Sequence, residues 1–213
     1  NRRSIALDLK RPEGVEAVYR RVLNGLIPLH VDASRHVQEC ELLANRSFDY
    51  DYFRWETDYF LERFVEGLCG RKPDGRDALG QEFDKLARQA DTLPKAVIHR
   101  DFQSQNIMIC RGVPRFIDYQ GARMAPPAYD IASVLWDPYC RLDDAMRERL
   151  LDYYIESRTE RTEGGFREEE FLLSLKICRL QRHMQALGAY GFLSTVKGMH
   201  RFRKYVPEGV RLL

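Results

Sequence analysis

Three polar residues at fixed spacing, Asp101, Asn106 and Asp118, have the types needed to move a phosphoryl group onto a hydroxyl. That reaction asks a protein mainly for positioning and charge. It needs a carboxylate beside the incoming oxygen and oxygen ligands for magnesium. Asp101 can orient the hydroxyl and accept its proton. Asn106, five residues on, can return to the same pocket and offer an amide oxygen to the metal. Asp118 adds a carboxylate, which magnesium takes together with phosphate oxygens and waters. The flanking sequence supplies the scaffold. Ala96, Val97 and Ile98 form an apolar run fit for a buried strand end, and residues 107–110 form a second. Residues 111–114 contain Gly112 and Pro114 and read as a turn. Residues 115–117 then make a third short strand ending at Asp118. The expected picture is a small hairpin with polar groups at its mouth. A plain hairpin with an Asp/Asn turn is the bland alternative, but order, spacing and strand context all favour the chemical one.

H-R-D-x4-N followed by an apolar strand and I-D is the catalytic-loop pattern of kinase-like enzymes. With PPAYDIASVLWDP (residues 126–138), which is similar to a P-x-Y-D-[IL]-A segment, it resembles the aminoglycoside phosphotransferase and choline kinase family. Only 11 residues, Tyr119 to Tyr129, separate Asp118 from Asp130, too few for the activation segment of a protein kinase. The resemblance therefore implies a small-molecule kinase using ATP and magnesium. It implies an α+β, mostly α fold: a protein-kinase-like C-terminal lobe, helical with a small catalytic β-hairpin. It casts Asp101 as the base, Asn106 and Asp118 as metal ligands, His99 as a prop of the loop, and Asp130 as a buttress from below. Arg100 departs from the Gly of many antibiotic kinases and resembles the sugar-kinase branch. Gln103 stands where protein kinases carry a Lys. Gln120 and Arg123, in a short loop after Asp118, are candidates to contact phosphate or acceptor. LQRHMQALGAY (residues 180–190) and the closing KYVPEGVRLL resemble the anomeric amino-sugar kinases, which brings in Arg182 and His183 as candidates for touching the acceptor.

The whole chain fits that reading. Its 213 residues suit a single domain, 1–213, and 44% are hydrophobic, enough for a sizeable core. A net charge of +2 leaves no footprint for nucleic acid. No 18-residue apolar run spans a membrane. The start lacks a signal-peptide core, and five scattered cysteines read as reduced thiols, so a cytoplasmic protein is expected. There is no Gly-rich phosphate loop and no V-A-I-K strand. The expectation is a fragment whose N-terminal lobe is missing, with RRSIALDLK (residues 2–10) resembling the segment after the hinge.

Helices frame the motif. Val15, Val18, Tyr19, Val22, Leu26 and Ile27 recur at three and four residues, an amphipathic stripe behind Pro12. His30 and His36 near its end read as surface or structural residues. Residues 51–69 and 73–92 read as two more helices. Glu56, Asp58 and Glu62 are expected on a solvated face. A helix over 131–136 follows Asp130, for which an N-cap would be the ordinary alternative to the buttress role. Further helices follow at 143–158 and from residue 166. From Phe171 to Pro207 there is no Asp or Glu but seven Lys or Arg, a poor match for a polycationic acceptor. A neutral or anionic acceptor such as an N-acetylated amino sugar or a sugar acid fits better. An aminoglycoside kinase and a non-catalytic kinase-like binding module are the rivals.

Overall fold

The computed structural model describes residues 3–4 and 12–213, so most of the RRSIALDLK stretch lies outside the described residues. The described residues are mostly helical, with five short strands among them in two small antiparallel sheets. It divides into two compact units. The first holds residues 1–47 and 94–175, the second residues 48–93 and 176–213.

In the first unit, β1 (Arg3–Ser4) precedes α1 (Pro12–Pro28), which runs on into a π-helical turn at Leu29–Ala33. A short helix α2 (Glu41–Ala44) follows. The apolar stripe of α1 is buried as its spacing requires: Tyr19, Val22, Leu23 and Leu26 are fully enclosed. Each such large apolar side chain contributes about 1.5–3 kcal/mol by leaving water. The stripe packs against α6 (Asp144–Arg161), whose N-terminus is capped by Asp143 accepting the Met146 N–H at 2.8 Å.

The strands bring one correction. β3 (Ile107–Cys110) and β4 (Val113–Phe116) form the expected hairpin, but the turn is only Arg111-Gly112, both at positive φ (52° and 78°), the geometry of a primed two-residue turn. Pro114 therefore lies inside a strand. β4 is the sheet edge in the order β1-β3-β4, where a missing N–H costs little. β2 (Ala96–Ile98) is not part of this sheet. It pairs with β5 (Arg123–Ala125), in the register Ala96↔Ala125, Val97↔Met124 and Ile98↔Arg123. β5 falls in a stretch expected to be loop. Another correction concerns α5 (Ala128–Leu135). It starts two residues before Asp130, so Asp130 is no N-cap, and its carboxylate is used elsewhere.

The second unit is built from α3 (Tyr50–Tyr59), a π-helical continuation at Phe60–Leu68, α4 (Arg76–Asp91), the larger part of α7 (Glu168–Thr195) and α8 (Val206–Leu212). Leu61, Phe83 and Met184 form a core that Phe60, Val65, Leu79 and Leu86 complete. Asp49 caps α3 by accepting the Tyr52 N–H at 3.0 Å. Gly191 lets α7 lie directly on the Phe60–Leu68 segment. A Cβ there would sit 2.1 Å from the Arg63 carbonyl oxygen. Glu56, expected on a solvated face, is fully buried.

Candidate functional site

The two sheets explain how residues far apart in the sequence meet. The chain leaves β2, crosses residues 99–106 and enters β3; it leaves β4, crosses 117–122 and enters β5. Both crossings join the same pair of sheets, so they run side by side. The Ile117 N–H donates to the Asn106 carbonyl at 3.0 Å, and His99 Nε2 donates to the Ile117 carbonyl at 3.0 Å. The carbonyl can only accept, which puts the proton of His99 on Nε2. The second ring nitrogen, Nδ1, is buried and makes no hydrogen bond among the described residues. His99 thus ties one crossing to the other.

Asp130 holds the first crossing in shape. Its carboxylate, fully buried, accepts the His99 N–H at 2.7 Å on Oδ2 and the Arg100 N–H at 2.8 Å on Oδ1. Arg100 adopts φ 78°, a left-handed conformation that costs a side-chain-bearing residue about 1–2 kcal/mol. A glycine would take it freely, which is why Arg at this place is notable. Asp137, also buried, fixes the far end by accepting the Ser104 N–H at 2.7 Å and the Tyr139 N–H at 2.9 Å. Asp101 is left half-buried between these anchors.

Asn106 closes the loop on Asp101. Its Nδ2 donates to the Asp101 carbonyl at 2.9 Å and lies 3.4 Å from the Asp101 carboxylate. The amide nitrogen is thereby committed to acceptors, and Oδ1 makes no hydrogen bond among the described residues. Asp118 follows the pinned Ile117 with φ 68°, a conformation Asp tolerates better than most residues. Its carboxylate is exposed and accepts the Gln120 amide at 2.6 Å. One amide oxygen and one exposed carboxylate are hard donors of the kind magnesium takes. No group of three or more His, Cys, Asp or Glu side chains able to hold a metal occurs among the described residues.

The remaining candidates are spread out. Gln120 is exposed, engaged with Asp118, and its carbonyl accepts Arg46 Nη1 at 3.1 Å. Arg123 starts β5 and donates through Nε to the Gly121 carbonyl at 2.9 Å. Arg182 and His183 belong to the second unit and are buried, at 6% and 1% exposure. Arg182 bonds to Gln185, and His183 Nδ1 donates to the Arg179 carbonyl at 2.6 Å.

Three contributors escaped the sequence. His30, at 1% exposure, bonds Asp130 through Nε2 at 3.1 Å and Tyr154 through Nδ1 at 2.8 Å. Its position carried a signal, since 19, 23, 26 and 30 share one helical face. Tyr154 shares the same helical face of α6 as Leu150, and Asp137 lay unremarked inside the motif stretch. Burial lowers the His30 pKa and pushes the Tyr154 hydroxyl up to about 12.

Known proteins place the chain. It is 27% identical over 169 residues to an N-acetylmuramate/N-acetylglucosamine kinase of Neisseria meningitidis, covering 78% of this chain and 51% of that protein. A protein of the same name from Pseudomonas aeruginosa is 24% identical over 216 residues, covering 99% of this chain and 61% of the relative. The chain thus spans between half and about three-fifths of the length of these curated relatives. Among solved structures, a choline/ethanolamine kinase family protein from Mesorhizobium loti superposes with a TM-score of 0.61 at 16% identity, over 98% of this chain and 63% of that one. Plasmodium vivax ethanolamine kinase gives 0.56 at 17%, over 97% and 61%. These two share the fold, which is protein-kinase-like. The profile of the phosphotransferase enzyme family matches residues 28–167, well over half of the chain and the whole of the two crossings, and the protein belongs to that family.

Proposed function

We propose that the full-length protein transfers the γ-phosphoryl group of ATP to a hydroxyl of a small polar acceptor, an amino sugar or sugar acid. The observation that carries this reading is the side-by-side pair of crossings, one bearing Asp101 and Asn106 and the other ending in Asp118 and its neighbours, in a chain whose relatives are named as amino-sugar kinases. Asp101 acts as the base that orients the acceptor hydroxyl and takes its proton. Asn106 Oδ1 and the Asp118 carboxylate hold magnesium, which neutralises phosphate charge when bound. Gln120 and Arg123 contact phosphate or acceptor. Residues 1–213 serve together as the catalytic and acceptor lobe. The nucleotide phosphates are covered by sequence beyond these 213 residues, where the relatives are longer.

Charge favours the acceptor class. Of the seven basic residues between Phe171 and Pro207, Lys176, Lys197, Arg201, Arg203 and Lys204 are exposed, and Arg182 is buried. Two like charges about 4 Å apart in a partly screened site repel by about 4 kcal/mol, a poor welcome for an antibiotic polycation.

The test is a kinase assay on the full-length protein with ATP and magnesium, comparing N-acetylmuramate, N-acetylglucosamine and kanamycin. Higher kcat/KM for the acetylated sugars is expected, and preference for kanamycin overturns the acceptor assignment. Asp101→Asn should lower kcat by about 10²–10⁴ with the fold intact, as for a positioned general base. Near-normal turnover by that variant rejects the assignment of the base.

A further inference from the structure

The two-stranded sheet of β2 and β5 has a second end. The crossings that carry Asp101, Asn106 and Asp118 meet it at the Ile98↔Arg123 pair. At the opposite end, past Ala96↔Ala125, the chain continues to Pro94 on one strand and Pro127 on the other. These two prolines line a cavity of about 150 Å³, together with Arg158 of α6, residues 165–167, and Glu170, Phe171 and Ser174 of α7. Every lining residue belongs to the first unit. A space of that volume holds about one six-membered ring. Its walls are chiefly apolar, and behind them Phe171 packs against Tyr154 and Phe166 with ring centroids 5.4 and 5.3 Å apart.

Arg158 brings a positive charge to this wall and is fixed there. Its guanidinium carbon lies 5.0 Å from the centre of the Phe166 ring and 5.9 Å from that of Tyr154. Nη1 donates to the Tyr154 hydroxyl at 2.7 Å. A guanidinium has several N–H donors, and only this one is engaged among the described residues. Nε is buried without a hydrogen bond, and no carboxylate of the described residues pairs with Arg158. The other charges at the cavity offset each other: Arg167 and Glu170 stand 3.5 Å apart, their side chains 83% and 39% exposed. The Ser174 hydroxyl donates to the Glu170 carbonyl at 2.9 Å. What remains is an oriented cation on an apolar wall. A guanidinium fork takes both oxygens of a carboxylate at once. One already held in place loses little freedom in doing so.

We infer that this cavity is a second ligand site, for a small monocarboxylate whose apolar body is about the size of one six-membered ring. The carboxylate pairs with Arg158, and the body lies against Pro94, Pro127 and Phe166. A bare phosphate would leave the apolar walls uncovered. A neutral ring would leave the guanidinium unpaired, and a cation would be repelled by it. The site stands at the far end of the sheet from the catalytic crossings, and it does not depend on the proposed phosphotransfer.

Benzoate is the probe, measured by calorimetry on the full-length protein, with benzamide, benzylamine and inorganic phosphate for comparison. Benzoate should bind one-to-one with a Kd of about 0.1–1 mM, the range for a ligand of this size. The other three should each bind at least about tenfold more weakly, the loss of one charge-assisted pair or of the apolar contact. Arg158→Gln should weaken benzoate by at least about tenfold and benzamide by no more than about twofold. Ser174→Leu, which fills the cavity from α7, should abolish benzoate binding while thermal melting shows the fold retained. Saturating N-acetylmuramate should leave benzoate affinity unchanged, because the acceptor is expected elsewhere. Absence of benzoate binding up to about 10 mM overturns the inference. So does phosphate or benzamide binding as tightly as benzoate, or displacement of benzoate by N-acetylmuramate. Unchanged benzoate affinity in Arg158→Gln or in Ser174→Leu overturns it too. Should Arg158→Gln fail to fold, Ser174→Leu and the comparison of ligands decide.

Discussion

Replacing Asp130 by Asn keeps the size of the side chain and removes one acceptor oxygen and the charge. Three donors converge on that carboxylate, the His99 and Arg100 N–H groups and His30 Nε2, at 2.7, 2.8 and 3.1 Å. Asn can serve the donors on one oxygen only, and its NH₂ must then face a donor. Hydrogen bonds to a charged group contribute about 1.5–3 kcal/mol each, and an orphaned buried donor costs about 1–3 kcal/mol. Two weakened bonds and one orphan give roughly 3–5 kcal/mol, the range found when one partner of a buried charged pair is removed. A further consequence is local, because the bond from the Arg100 N–H to Asp130 Oδ1 helps hold Arg100 at φ 78°. Urea unfolding followed by circular dichroism measures the loss. Asp144→Ala is the control: its bond to Arg147 is 2.7 Å, but its side chain is 82% exposed, so a change within about 0.5 kcal/mol is expected. A loss below about 1 kcal/mol for Asp130→Asn would refute the view that this carboxylate organises the loop.

Two further outcomes follow from packing and burial. Gly191→Ala should destabilise by at least about 2 kcal/mol, since its Cβ would meet the Arg63 backbone at 2.1 Å, far outweighing the roughly 1 kcal/mol gain in helix propensity. Gly14→Ala, with open space around it, should be neutral or stabilising by thermal melting. Stability should also depend on pH near neutrality. Burial depresses the His30 pKa below its ordinary 6.5, with Asp130 pulling the other way and Arg158 adding to the depression. The unfolded chain then binds more protons than the folded one below pH 6.5. Stability is full above 6.5 and declines as pH falls from 6.5 to the folded value, by about 1.4 kcal/mol for each unit of depression. Denaturation at a series of pH values should show this decline, and His30→Gln should flatten it. Glu16, Asp32 and Asp84, whose pKa values are lowered chiefly by Arg149, Arg161 and Tyr50 respectively, lose their contribution only below about pH 4.5, so the two windows do not overlap.

Local spacing made much of this molecule readable. The stripe on α1, the apolar runs of β2 and β3, and the mostly helical class all follow from periodicity and from where Gly and Pro fall. The order Asp101, Asn106, Asp118 was visible because the three fall within a short stretch of chain, on two crossings that the Ile117 N–H joins. Pairings over longer distances were hidden. β2 finds β5 because Ala125 and Met124 can cover its buried side, and nothing in RMA announces a strand. Glu56 is enclosed although its neighbours on α3 give it the look of a surface acid. His30 was passed over for want of an acidic partner nearby. Its partner is 100 residues away.

Such long-range polar pairs share a physical cause. A buried donor or acceptor must be satisfied, yet the partner is chosen by tertiary packing, which leaves no periodic trace in the sequence. What the sequence does carry is a conflict: a His on the apolar face of α1, an Arg at a place where Gly would be at ease, an Asp within an apolar helix. Taken singly, each breaks a local rule. Taken together, they name one network, since Asp130 is bonded to His30, to the His99 N–H and to the Arg100 N–H. Local preference yields at the loop that carries Asp101, where a strained peptide is tolerated because a buried carboxylate and its hydrogen-bonded chain hold it.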